Sequence, residues 1–95
     1  MADTHTFDLP TKATIAECGP VLASLRQLIE ENNDITVMCD KVEQTDLAML
    51  QVLISAWKTA ERDNKRFAVV TEQDGTFDAT LREYGVRLPR TTDRN

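Results

Sequence analysis

The chain has 95 residues, 11 Lys+Arg against 16 Asp+Glu, a formal net charge of −5 and a pI near 4.7. A chain this short is read as one small domain over residues 1–95, burying roughly 60–65% of its unfolded surface. The acidic balance argues against a nucleic-acid partner, which needs a basic face to displace phosphate counterions.

At 41% apolar and 28% charged, the composition suits a globular fold and is too apolar for disorder. No stretch approaches the ~20 apolar residues of a membrane span, and the N-terminus has neither a basic n-region nor an apolar h-region. The expectation is a soluble cytoplasmic protein without a membrane span, compatible with a monomer. Cys18 and Cys39 stand alone, with no CxxC, and are read as buried free thiols. With His5 the only histidine, no zinc site is expected.

Thr4–Leu9 alternates weakly and stops at Pro10, which reads as an opening strand with proline at its end. Thr14 with Glu17 three residues later forms a capping-box pattern. Gly19-Pro20 then interrupts, and Pro20 suits the first position of a helix. Val21, Leu22, Leu25, Leu28 and Ile29 recur at helical spacing until Asn32-Asn33-Asp34. Ile35–Cys39 is β-branched and almost continuously apolar, the pattern of a central strand covered on both faces.

Asp40 closes that strand. Thr45 then stands at the expected N-cap, with Asp46 adding negative charge to the positive end of a helix over Asp46–Arg62. Placed at 100° intervals, Met49, Leu50, Leu53, Ile54, Ala56, Trp57 and Ala60 share one broad face. Gln51, Ser55, Lys58, Thr59 and Arg62 lie opposite, and Leu47 and Val52 flank the stripe. Asp63-Asn64-Lys65 reads as a turn and Phe67–Val70 as a second central strand. Asp74-Gly75 is a break. Phe77, Leu81 and Tyr84 mark a short helix closed by Gly85, Val86–Leu88 an edge strand, and Pro89–Asn95 a frayed tail. Strands alternating with helices predict an α/β fold with right-handed crossovers.

Catalytic parts are scarce. His5 reads as a solvated surface residue, and there is no GxGxxG, P-loop or GxSxG. Glu30, Glu31 and Asp34 read as a solvated charge cluster. The expectation is therefore a non-enzyme without cofactor or metal. The segment Asp40–Leu53 is different: a strand ending in Asp, a short loop and a helix opening with Thr-Asp put free N–H groups at the carboxyl end of a parallel sheet. Leu47, a large apolar residue beside the cap and off the core stripe, suits a contact surface.

These residues carry a resemblance. Phe7–Pro10, Ala13–Glu17, Val37–Asp40, Val42, Thr45-Asp46, Leu50–Leu53, Ala60, Phe67–Val70 and Phe77…Leu81…Gly85 follow the order and spacing of a STAS domain, the family that includes bacterial anti-sigma-factor antagonists. The resemblance implies a four- to five-stranded mixed sheet with three to four helices and no enzyme activity. In partner-switching members a Ser or Thr follows the Asp that opens the second helix and is phosphorylated. Asp46 matches that Asp, but Leu47 occupies the acceptor position, so a phosphate cannot be placed there; Thr45 carries the nearest hydroxyl.

The run Leu50–Trp57 with Phe67–Val70 is similar to small STAS proteins of the CheS type. These adaptors bind the chemotaxis histidine kinase CheA and influence phosphoryl flow to the CheY response regulator. On that resemblance the partner-binding set is Lys41, Glu43, Gln44, Thr45, Asp46, Leu47 and Gln51. The alternatives are an anti-sigma-factor antagonist and a STAS subunit of an ABC lipid or solute transporter.

Overall fold

In the computed structural model, which describes residues 4–72 and 75–90, the elements follow in α/β order. They are β1 (His5–Asp8), β2 (Lys12–Ala13), a 3-10 turn (Ile15–Glu17), α1 (Cys18–Glu31), β3 (Asp34–Met38), β4 (Gln44–Thr45), α2 (Leu47–Arg62), β5 (Arg66–Val70) and α3 (Thr76–Tyr84). α1 starts two residues before Pro20; the first helical N–H groups have no intrahelical acceptor, so proline is tolerated at this third position.

The main sheet has the order β1-β3-β5, with every pair parallel. β2 and β4 form a separate parallel pair, sealed by the Glu43 and Gln44 N–H groups donating to the Thr11 carbonyl at 2.8 and 3.1 Å. No antiparallel pair occurs among the described strands, so the expected mixed sheet is corrected to two small parallel ones. The edge strand expected at Val86–Leu88 does not form; among the described residues the chain touches β5 only by a single parallel bridge two residues later. Val69 donates its N–H to the Pro89 carbonyl at 2.8 Å and pairs with Arg90. Pro89 and Arg90, expected to fray, are thus fixed on β5; the rest of that tail and Asp74 lie outside the described residues.

The strand order has a direct consequence. Each crossover steps one strand further in the same direction, and right-handed connections then deliver successive helices to the same face. Ile35, Val37, Phe67 and Val69 point to that face and are buried with Leu25, Leu53 and Phe77. In the alternate register Thr6, Thr36 and Ala68 share one row, and Asp8, Met38 and Val70 the next. These residues are exposed or half-buried. The expectation that the central strands are covered on both faces is therefore corrected. Their near-continuous apolar character reflects β-branched residues on one face and Met38, Ala68 and Val70 on the other.

The helix ends are closed by local chemistry. Asn64, at φ 61, tolerates the left-handed conformation after α2, and Lys65 N–H reaches the Ala60 carbonyl at 2.8 Å. Gly85, at φ 65, does the same after α3, with Val86 N–H on the Leu81 carbonyl at 2.9 Å. The Lys65 ammonium crosses to the end of α1 and donates to the Ile29 and Glu30 carbonyls, placing positive charge at the negative end of the dipole.

Asp78 of α3 is the one buried charged residue among those described, 5% exposed. One carboxylate oxygen accepts from Arg90 and the other from Arg82 at 3.5 Å. Arg90 thereby ties the chain end on β5 to α3. Arg90→Ala leaves a buried carboxylate facing only a long, solvent-exposed Arg82 contact. It is expected to lower stability by about 2 kcal/mol. Arg82→Ala is expected to cost under about 0.5 kcal/mol; urea denaturation of the two variants measures the difference.

Candidate interaction site at the start of the second long helix

α2 begins where β4 ends, and the residue between them organises the region. Asp46, in extended conformation (φ −144, ψ 176), is the N-cap: its Oδ1 accepts from the Met49 N–H at 3.1 Å. Its Oδ2 accepts from the Ile15 N–H at 3.0 Å, across 31 positions of sequence. One carboxylate thus satisfies an orphan donor of α2 and fastens the 3-10 turn beside it.

The two caps expected from the sequence are corrected accordingly. Thr45 does not cap α2. It is paired in β4 against Ala13, and its Oγ1 is buried with no hydrogen-bond partner. Thr14 makes no side-chain cap either; its backbone carbonyl accepts from the Glu17 N–H at 2.8 Å and from the Cys18 thiol at 3.7 Å. A carboxylate with two acceptor oxygens serves both helix starts, and neither hydroxyl is needed.

The tether joins two exposed apolar residues, Ile15 through its N–H and Leu47 as the residue after Asp46. Ile15 is 70% exposed and Leu47, the first residue of α2, is 38% exposed. Among the described residues only Tyr84 joins them as a large hydrophobic side chain in solvent. Gln51, one turn after Leu47, is exposed.

The predicted set divides in two. Asp46, Leu47 and Gln51 gather around the tether with Gln44 and Thr45 in β4. Lys41 and Glu43 instead line a shallow groove with Asp40, Thr11 and Glu72 at the carboxyl end of the sheet. Ile15 was missing from that set. Its only sequence signal is a large apolar residue in Ala-Thr-Ile-Ala-Glu that belongs to no periodic stripe.

The cysteines are both free. Burial, and secondarily the charge of Asp40, pushes the fully buried Cys39 thiol far above its ordinary range. Half-buried Cys18 is raised more modestly, by burial and then by Asp46. Among the described residues no group of three or more His, Cys, Asp or Glu side chains is arranged to hold a metal ion.

Compared with known proteins, the chain matches no family model and no curated sequence.

Two outcomes follow from the geometry. Asp46→Ala should lose both hydrogen bonds and about 2 kcal/mol, whereas Asp46→Asn keeps one acceptor oxygen and should lose about half of that in the same urea titration. For the thiols, a raised folded pKa means that the unfolded chain ionises first, so their contribution to stability is complete below pH 9 and declines above it. At pH 8 an aromatic disulfide reagent should label Cys39 only after denaturation, and Cys18 slowly in the native protein.

Proposed function

We propose that this chain is a non-catalytic STAS-type adaptor that docks on a histidine kinase of the chemotaxis class (CheA) and modulates phosphoryl flow to the response regulator. The reading is supported by the ordered motifs from Phe7 to Gly85 and by an α/β fold whose second long helix opens with Asp46. The observation that carries it is that Ile15 and Leu47, two exposed large side chains, flank one carboxylate whose two oxygens accept from the Ile15 and Met49 N–H groups. Isolated exposed leucines are ordinary, but two apolar groups anchored by a long-range hydrogen bond make a preorganised contact surface.

Regulation by phosphate at this site is disfavoured by two facts. Leu47 has no hydroxyl, and the nearest one, on Thr45, is buried. A kinase would have to part β4 from β2 to reach it. The anti-sigma alternative depends on such a phosphate and is the weaker reading.

Calorimetric titration of the protein into the chemotaxis kinase of its own bacterium tests the proposal. Leu47→Asp and Ile15→Asp should each weaken binding by at least about tenfold, as expected of central apolar anchors. Binding unaffected by both substitutions, or no binding by the parent protein, would overturn it.

A further inference from the structure

An amphipathic helix needs its apolar side for the core, and folding leaves open what its outward side carries. On α2, 16 residues and about 24 Å long, the outward side has an order of its own. At 100° per residue, Leu47, Gln51, Ile54, Ser55, Lys58 and Arg62 fall within a sector about 100° wide, opposite the buried Met49, Leu53, Ala56 and Ala60. The stripe is apolar where the helix starts and cationic where it ends. We infer that this face receives an acidic amphipathic helix of a protein partner, with Leu47 meeting its apolar end and Lys58 and Arg62 pairing with its carboxylates.

Charge selects the occupant. The chain as a whole carries −5, yet the shallow depression on this face, lined by Gln51, Ile54, Ser55, Lys58, Thr59 and Arg62, contains no carboxylate. Glu61, the one acidic residue of α2, instead lines the groove on the other flank with Trp57 and Lys65. Among the described residues no carboxylate lies within 4.0 Å of Lys58 or Arg62. Arg62 suits the negative end of the helix dipole, but that effect fades within the last turn, and Lys58 stands one turn earlier. Four positions apart on one helix, the two cations repel each other in the free protein. An incoming pair of carboxylates relieves that repulsion.

A nucleic acid or an anionic membrane presents many phosphates, and two cations on a chain of net charge −5 release too few counterions to hold one. A protein helix asks for less. Lys58 and Arg62 stand about 6 Å apart along the axis, the rise between carboxylates four residues apart on a partner helix. Leu47 lies about 16 Å behind Lys58, where an apolar residue about eleven positions away on that helix meets it. Half-buried Ile54 adds an apolar contact between the two ends. This face alone is smaller than a stable interface needs, so the contact is weak, with Leu47 as its anchor and the cations governing the rate of encounter. The Leu47 end rests on the docking site proposed above; the cationic end does not depend on which protein docks.

NMR titration of the nitrogen-labelled full chain with a synthetic helical peptide tests it. The peptide carries two glutamates four residues apart and a leucine about eleven positions from the nearer one; a control peptide has lysines in place of the glutamates. The glutamate peptide should move the amide signals of Gln51, Ser55, Lys58 and Arg62, and the lysine peptide should not. Lys58→Glu and Arg62→Glu should each weaken glutamate-peptide binding at least about fivefold, since each sets like charges opposite one another. The double variant should prefer the lysine peptide. Should a charge-reversed helix end unfold by circular dichroism, Lys58→Gln with Arg62→Gln removes both charges without placing an acid at the negative end of the dipole, and should weaken binding at least about threefold. A glutamate peptide that moves no α2 signal, one that binds the variants as tightly as the parent, or equal shifts caused by inorganic phosphate alone, overturns the inference. The calorimetric kinase titration decides the kinase reading separately, since charge-dependent peptide binding at α2 supports this surface whether or not the kinase binds.

Discussion

The direction in which the strands are laid down governs this molecule. β1, β3 and β5 are added one beside the next without reversal, so the connecting helices accumulate on one side and the core forms there alone. A doubly wound sheet of the same composition would reverse once and bury both faces. Among the described residues the one-sided arrangement lets α1 and α2 pack on each other as well as on the strands. The half-buried rows of threonine, alanine and methionine on the other face are the counterpart of that economy.

Within that frame, Asp46 couples parts that the strand order alone would leave loosely joined. Its two oxygens serve donors far apart in sequence, which neither a threonine hydroxyl nor an asparagine amide could do equally well. The short β2–β4 ladder delivers Asp46 to the 3-10 turn, because the Ala13–Thr45 pairing places the residues that follow each strand side by side. A local cap and a tertiary contact are here one interaction. The apolar surface beside it is consequently a property of the folded state, absent from any isolated helix.

Much of this was legible in the sequence, and the failures have physical reasons. The stripe through Met49, Leu50, Leu53, Ala56 and Ala60 identified the buried side of α2, since periodicity records burial directly. Gly85 was recognisable as a helix stop because few other residues accept its backbone conformation. The caps were misread because Ser, Thr and Asp are all good N-cap residues; choosing Asp46 over Thr45 requires knowing that Thr45 is already paired in a strand. Likewise, Ile35–Cys39 looks the same whether its second face is covered by a helix or left open, since Met38 and Thr36 suit either setting. Ile15 was invisible as a surface residue because its exposure depends on a bond to a residue 31 positions away.

The long-range bonds at opposite ends of the helix pair also shape how the molecule opens. Asp46 fastens the chain entering α1 to the start of α2, and Lys65, just beyond α2, holds the end of α1. Neither helix can fray from its own terminus without breaking a bond to the other. Hydrogen exchange in α1 and α2 is therefore linked in one cooperative unit. α3, clasped separately through Asp78 and Arg90, is free to open as another.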